Sequence, residues 1–529
     1  MLNATQLVAR HGKLVVEDQQ GWYKGREDVY KFVMPFRKPP MSAGVRTDSK
    51  APPPATDIWD ATAVVAAQRG AGRIQRALTP DYEDWIGLGP GPMVPDQNRD
   101  RWARELDHCT KVARGIIDQG GFGLAAGEMY QDLYAGEATL LVLRGSGPEE
   151  LAKFAALPPE LVQTIEDSFG RIKCWLYEKR MSGEDILEDW PKAKLPDDLA
   201  KQIRDDPCKE HDILITCERE KRGKYAFKAI WKPGKVAIWD EQLRTSCFIT
   251  PRFFKAPGQR RGLGVPMLAM PTIKTVNKAV EFELKAAAFA ILGVWMTTDD
   301  GVYNPRSTAL APGGMLKVAS TGGPRGPSLA RLPIPDNFDL SRIVTQELRI
   351  QIREMLYDDD MPYQGGPVRS PTEIVERLKR LVQHIAGAFG RLFAELIVPL
   401  VQRVLDIADQ WGLLPVYPEI DNLLTRAQVI SPLANAQMLE DVEKAARWVE
   451  LIIGFYGPQE AHVQADPDKV GPWLREKLGA DIKLQRSDGE RAGVREQMMQ
   501  AAAQAFQQEA AKVARDQMDP KKQGPRKAA

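Results

Sequence analysis

A chain of 529 residues with 43% apolar side chains has the length of roughly two to four domains and the means to form real cores, which excludes wholesale disorder. The formal charge is only +1 at neutral pH, so no global basic field marks a nucleic-acid partner and any DNA contact has to come from local stripes. The longest apolar stretch, near Ala286 to Met296, is too short to span a bilayer, the N-terminus lacks a signal-peptide core, and five scattered cysteines without a CxxC pair read as reduced structural thiols. A soluble chain made in the cytoplasm, with no membrane partner, is expected.

In chain order, residues 1–33 read as a helical or mixed piece and 34–57 as a Pro-rich extended connection. An Ala-rich helix is predicted from Ile58 to Leu78, then a loop over TPDYEDWIGLGPGP, then helical patterns between Arg101 and Tyr134. The character changes to strand at 138–145, 171–180, 212–220, 224–231 and 246–254, with a hairpin turn at Lys232, Pro233 and Gly234. The acidic segment GEDILEDWPKAKLPDDLAKQIRDDP between them reads as a solvated excursion. The first half is thus an α+β domain, within a fold that is α+β and helix-rich as a whole.

The second half is dominated by long helices. Ile273, Val276, Val280, Leu284, Ala287 and Ile291 recur at helical spacing over 265–293, with Lys274, Lys278, Glu281 and Lys285 as a separate polar stripe. Residues 294–340 are rich in Gly and Pro and read as a small β or loop insertion. A helix over 341–359 places Val344, Leu348, Ile352 and Met355 on one face. Arg342, Gln346, Arg349 and Arg353 fall on the next face, and Glu347, Gln351, Glu354 and Asp358 beyond them. Adjacent positive and negative stripes suit lateral pairing between copies. After the loop DMPYQGGPVRS comes a helix of about forty residues ending at Gly412, with Ser370 as N-cap, Pro371 at the first position and Glu373 closing a capping box. Pro399 predicts a bend near 395–399.

This order of parts resembles the portal protein, or head-to-tail connector, of short-tailed bacteriophages. The residues that carry the resemblance are RGLGVPMLAMPTIKTVNK followed by LAPGGML, and VRSPTEIVERLKRL followed by FGRLFAELIVPLVQRVLDIADQWGLLP, with a weaker match at VISPLANAQ. Ser370 and Pro371 stand where relatives often have Thr-Ala. The resemblance implies a wing over 1–264, stem helices at 265–293 and 341–359, a clip at 294–340 and a tunnel loop at 360–370. The long bent helix would follow over 371–412, then a crown over 413–488 and a C-terminal helix or barrel with a basic disordered tail over 489–529. It further implies a ring, dodecameric in relatives, at one capsid vertex of the virion. That ring would conduct double-stranded DNA during packaging and ejection, and would dock the terminase and then the tail adaptor. Major capsid and scaffolding proteins are the other expected partners.

Within that reading, Lys274, Lys278 and Lys285, or Arg342, Arg349 and Arg353, are expected to line the channel, with the opposite stripe turned to the neighbouring subunit; ordinary solvated or intersubunit faces are the alternative. Tyr363, Gln364, Gly365, Gly366 and Arg369 are the tunnel-loop candidates, against a plain flexible link. No catalytic residue, cofactor or metal site is expected. GQRRGLG lacks the order and the Lys of a phosphate loop, and the five histidines form no zinc-binding pattern. Asp358, Asp359 and Asp360 diverge at a helix end and read as a solvated terminus, and His108 beside Cys109 as structural. The competing class is a metal-dependent phage enzyme that processes nucleic acid.

Overall fold

The computed structural model describes residues 2–37, 57–81, 84–220, 223–292, 295–298, 315–318, 329–331, 339–358, 387–429, 432–457 and isolated positions between 464 and 504. The chain divides into two compact units: Met1–Ile86, Cys109–Ile420 and Val429–Leu433 form the first, and Gly87–His108, Asp421–Gln428 and Ala434–Ala529 the second.

The first unit opens with α1 (Ala4–Gln20), which carries an Asn3/Gln6 capping box, then α2 (Trp22–Phe32) and α3 (Thr62–Leu78). The centre of its β structure is an antiparallel meander of five strands at Val162–Glu166, Ile172–Ser182, Glu210–Arg219, Tyr225–Trp231 and Val236–Leu243, paired in that order. Alternation divides the side chains between two faces, as period two requires. Trp175, Tyr177, Ile213, Ile215 and Phe227 point into one core, while Cys174, Leu176, Leu214 and Ile230 pack with Leu7 of α1 on the other. A second sheet joins Glu150–Leu157, Thr139–Gly147 and Phe248–Ile249, and backs onto the helix Phe122–Tyr134.

Four local expectations are corrected. The acidic stretch from Gly183 is not a solvated excursion: it forms helices Gly183–Asp189 and Asp197–Asp205, whose Ile186, Leu199 and Ile203, with Trp190, complete the larger core. Ser182 caps the first through a capping box with Asp185, so the acidic residues serve the helix starts while apolar residues four apart, Ile186/Trp190 and Leu199/Ile203, face inward. The stretch 246–254 contributes only the two-residue strand Phe248–Ile249. Within the segment 79–92, read as loop, Ile86–Pro90 is a strand that pairs with Thr425–Val429. The fourth correction concerns Asp358, described with the site below.

The Lys232–Lys235 turn joins its strands where expected, with Lys235 taking the positive φ of 53°. Among the described residues no disulfide joins the five cysteines, of which only Cys208 is exposed. Of the long helix, 387–412 is described and 371–386 lies outside the described residues. Close to the bend expected at 395–399, a π-helical turn spans Phe393–Ile397 and is followed by the helix Val398–Gln410. Gly412, at φ +69°, ends the helix as the sequence indicates. In the insertion, Trp295–Thr298 pairs parallel with Met315–Val318 and antiparallel with Leu329–Arg331. In the second unit, the Asp421 carboxylate accepts from the N–H groups of Leu423, Leu424 and Thr425, and the Gly91 N–H donates to the Leu424 carbonyl at 2.8 Å. The helix Pro432–Tyr456 follows the Thr425–Val429 strand. No described helix is long and apolar enough to cross a membrane.

Candidate functional site

The two helices that the sequence singles out form an antiparallel hairpin. Its first arm, α4 (Val265–Leu292), buries Ile273, Val276, Asn277 and Val280, and its second, α5 (Asp339–Met355), buries Thr345 and Ile352. The direction follows from two contacts. Glu283 of α4 accepts a 3.0 Å hydrogen bond from the Thr345 hydroxyl, while Asn277, nearly two turns earlier, and Arg349, one turn later on α5, meet at Asp60.

Residues 57–60 bind the hairpin before entering α3. The Asn277 side-chain carbonyl accepts from the N–H groups of Trp59 at 2.7 Å and Asp60 at 3.2 Å, and its amide donates to the Asp57 carbonyl at 2.8 Å. One Asp60 oxygen accepts from the Thr62 N–H at the start of α3, and the other from Arg349 at 2.7 Å. Burial pushes the Asp60 carboxyl up, but these hydrogen bonds and the Arg349 charge outweigh it and hold the group below its ordinary value. At the other end of α3, Arg73 donates to the Tyr357 carbonyl at 2.9 Å. Asp358 is 2% exposed, 3.2 Å from Arg73 and 3.7 Å from Arg69. It is therefore a buried ion-pair partner and not a solvated helix terminus, because α3 places two guanidiniums over the end of α5. Asp359 and Asp360 lie outside the described residues.

The root of α4 is held by a buried ionic cluster. Arg261 bonds Asp18 of α1 and Glu137, Arg260 also bonds Asp18, and the Gly262 N–H donates to Glu137 at 2.8 Å. The Arg26 and Arg261 guanidiniums lie over the Trp22 ring at 4.6 and 4.5 Å. Gly262 and Gly264 are required here, since a Cβ on either would fall 2.4 Å from the Gly136 carbonyl oxygen or 2.3 Å from the Ala135 carbonyl carbon. The segment GQRRGLG is thus a structural anchor. Arg252 adds a second tie, to Glu166 and to Glu395 at the π-helical turn.

The sequence-derived channel residues separate into distinct states. Lys274 pairs with Asp28 of α2 at 2.6 Å. Lys278 and Lys285, both more than half exposed, share the single carboxylate of Glu281. Arg349 is committed to Asp60, whereas Arg353 is exposed and has no ion-pair partner among the described residues. Arg342 lies on α5, but its side chain is outside the described set, as are Tyr363, Gln364, Gly365, Gly366 and Arg369. What the sequence reading missed is the role of Asn277 and Asp60; an Asn on an otherwise apolar helical face was the available signal.

Among the described residues no group of three His, Cys, Asp or Glu side chains is placed to hold a metal ion. The dominant features define a mixed helix-and-sheet protein organised around an anchored two-helix hairpin. The model of the bacteriophage head to tail connecting protein family matches residues 5–484, and the chain belongs to that family. It is accordingly a virion protein of the phage head-tail connection. No curated protein sequence matches significantly. A solved structure from the virion of a native gene transfer agent particle aligns at 11% identity with a TM-score of 0.34, over 83% of this chain and 98% of that chain, a similarity too slight to bear on function.

Proposed function

We propose that the chain is the portal subunit: copies close into a ring at one capsid vertex, through which double-stranded DNA enters during packaging and leaves during ejection. In this reading residues 1–264 are the wing, the helices over 265–293 and 341–359 the stem, 294–340 the clip that receives the terminase and later the tail adaptor, 360–370 the tunnel loop, 371–412 the long bent helix and 413–488 the crown. Residues 489–529 would add a C-terminal helix or barrel with a basic tail beyond the crown. The observation that carries the proposal is the hairpin itself, which leaves Phe282, Ile343 and Ile350 more than half exposed on the sides that its own partner helix does not cover. A lone chain would hold these side chains in water, and a neighbouring copy would bury them.

Passage of DNA demands weak contact, since each neutralised phosphate adds salt-dependent affinity that would slow sliding. Three of the cations read as channel residues already face a carboxylate on α4 or α2, and Arg349 another at Asp60. That leaves Arg353, on the arginine face of α5, as the described side chain best placed to touch a passing phosphate. The tunnel-loop residues Tyr363, Gln364 and Arg369 would add contacts, with Gly365 and Gly366 supplying backbone freedom.

Native mass spectrometry with negative-stain imaging of the purified protein tests the reading. Rings of about twelve copies with an open centre are expected for a closed cyclic assembly. A chain that stays monomeric at high concentration would overturn it.

A further inference from the structure

The hairpin has two unlike outer faces. At about 100° per residue, Lys278, Phe282 and Lys285 fall on the side of α4 turned away from α5. Ile343, Glu347, Ile350 and Glu354 fall on the side of α5 turned away from α4. Phe282 is 58% exposed, and Ile343 and Ile350 are each 56% exposed. The lysine face carries two ammoniums against the one carboxylate of Glu281 and keeps a positive excess. Glu347 and Glu354 are exposed and have no ion-pair partner among the described residues. Both charged pairs repeat at a spacing of two helical turns, so they can meet in register on antiparallel helices.

We infer that the seam between adjacent copies joins the Lys278–Phe282–Lys285 face of α4 in one chain to the Ile343–Glu347–Ile350–Glu354 face of α5 in the next. The inference rests on the ring proposed above and specifies which surfaces close it. Because the faces are different and lie on opposite sides of the hairpin, the contact is head-to-tail. Such a contact propagates into a ring and does not stop at a symmetric dimer. Phe282 inserts between Ile343 and Ile350, which supplies most of the buried apolar area. The Lys–Glu pairs select partner and register, as charges at exposed seams do, while contributing little energy each. On formation of the seam Glu281 retains its local lysines, and the free glutamates gain theirs from outside.

Charge exchange tests this directly, with ring content read by native mass spectrometry. The variant Lys278→Glu/Lys285→Glu places acid against acid at every seam, and Glu347→Lys/Glu354→Lys places base against base; each is expected to lose rings and remain monomeric. One chain carrying all four substitutions has its charges exchanged across the seam and is expected to recover rings. All altered side chains are exposed, and circular dichroism of the monomers checks that they fold. Rings in both two-site variants, or no recovery in the four-site variant, would overturn the seam. If the unaltered chain itself forms no ring, the portal reading fails first, so the two failures are distinguishable.

Discussion

The hydroxyl of Tyr134 donates a 2.7 Å hydrogen bond to the carbonyl of Leu356, the residue just past the last turn of α5. Gly70 of α3 lies against both groups: a Cβ there would sit 2.9 Å from the hydroxyl and 3.0 Å from the carbonyl oxygen. Three elements distant in sequence are thereby locked at one point. Replacing Gly by Ala inside a helix ordinarily gains about 1 kcal/mol. Here Gly70→Ala is expected to lose roughly 1–3 kcal/mol, because neither a buried ring nor a backbone carbonyl can move aside. Tyr134→Phe should cost about 1–2 kcal/mol by leaving a buried carbonyl unpaired. Denaturant titration gives both values, and hydrogen exchange over residues 352–358 should report faster opening in each variant.

Arg261 supplies the second prediction. It is 6% exposed and faces two carboxylates that are themselves buried, Asp18 and Glu137. Arg261→Met removes the charge and leaves Glu137 without its ion pair, so a loss of about 3–5 kcal/mol is expected. Arg261→Lys should recover only part of it, since an ammonium cannot reproduce a guanidinium that bonds both acids at once. Adding Asp18→Asn and Glu137→Gln to the Met variant should restore stability relative to Arg261→Met alone. A thermal melt of the four proteins orders them, and equal melting of Arg261→Met and the unaltered chain would contradict the account.

The long helices were legible because their signals are local: α4 is predicted over 265–293 and observed over Val265–Leu292, and α5 is predicted over 341–359 and observed over Asp339–Met355. The stop at Gly412 was legible for the same reason; Pro399 marked a bend near 395–399, and the π-helical form of the turn at Phe393–Ile397 was not legible. The strands Glu150–Leu157, Val162–Glu166 and Val236–Leu243 were not legible either: partial exposure weakens the alternation of the first and third, and the second is buried on both faces and so shows no alternation at all. Composition misled at 183–207, where charged residues outnumber the apolar ones that reach the core. The state of the stem cations was also hidden. Nothing in the spacing of Arg349 indicates that Asp60 will be its partner, nor that Asp358 will be enclosed by Arg69 and Arg73, because such pairs exist only once α3 packs on α5.

Glu160 gives a pH-dependent prediction. Its carboxyl is 3% exposed, neither oxygen accepts a hydrogen bond from another residue, and burial pushes its pKa from 4.5 up to about 7. Arg26 at 3.9 Å and Arg261 pull in the opposite direction, and Asp132 adds to the rise. The folded chain then holds a proton that the unfolded chain releases above 4.5, so this group's contribution falls as the pH rises from 4.5 to about 7 and is flat beyond. Glu160→Gln removes the titration. Its stability relative to the unaltered chain should therefore climb over that window, by on the order of 1–3 kcal/mol. Chemical denaturation at a series of pH values measures the difference, in which the other titrating groups largely cancel. A difference independent of pH would show that Glu160 is ionised throughout.

Asp60 has the opposite sign. Hydrogen bonds from Thr62 and Arg349 hold its carboxyl below the ordinary value of 3.8 despite burial, so it stabilises the fold above that value, and the contribution is lost as the pH falls through the depressed one. Arg349→Ala takes away one of those bonds and its charge, and Arg349 is 37% exposed, so solvent screening limits the loss at neutral pH to about 1–2 kcal/mol. The loss should shrink in acid, where Asp60 is protonated in both proteins. Asn277→Ala attacks the same junction without a charge. It strips the acceptor from the Trp59 and Asp60 N–H groups, and its cost of roughly 1–3 kcal/mol should not vary with pH. The contrast between the two variants separates an electrostatic clamp from a purely packed one. If Arg349→Ala is as indifferent to pH as Asn277→Ala, Asp60 does not draw its ionised state from Arg349, and the hairpin is held to α3 by Asn277 and apolar packing alone.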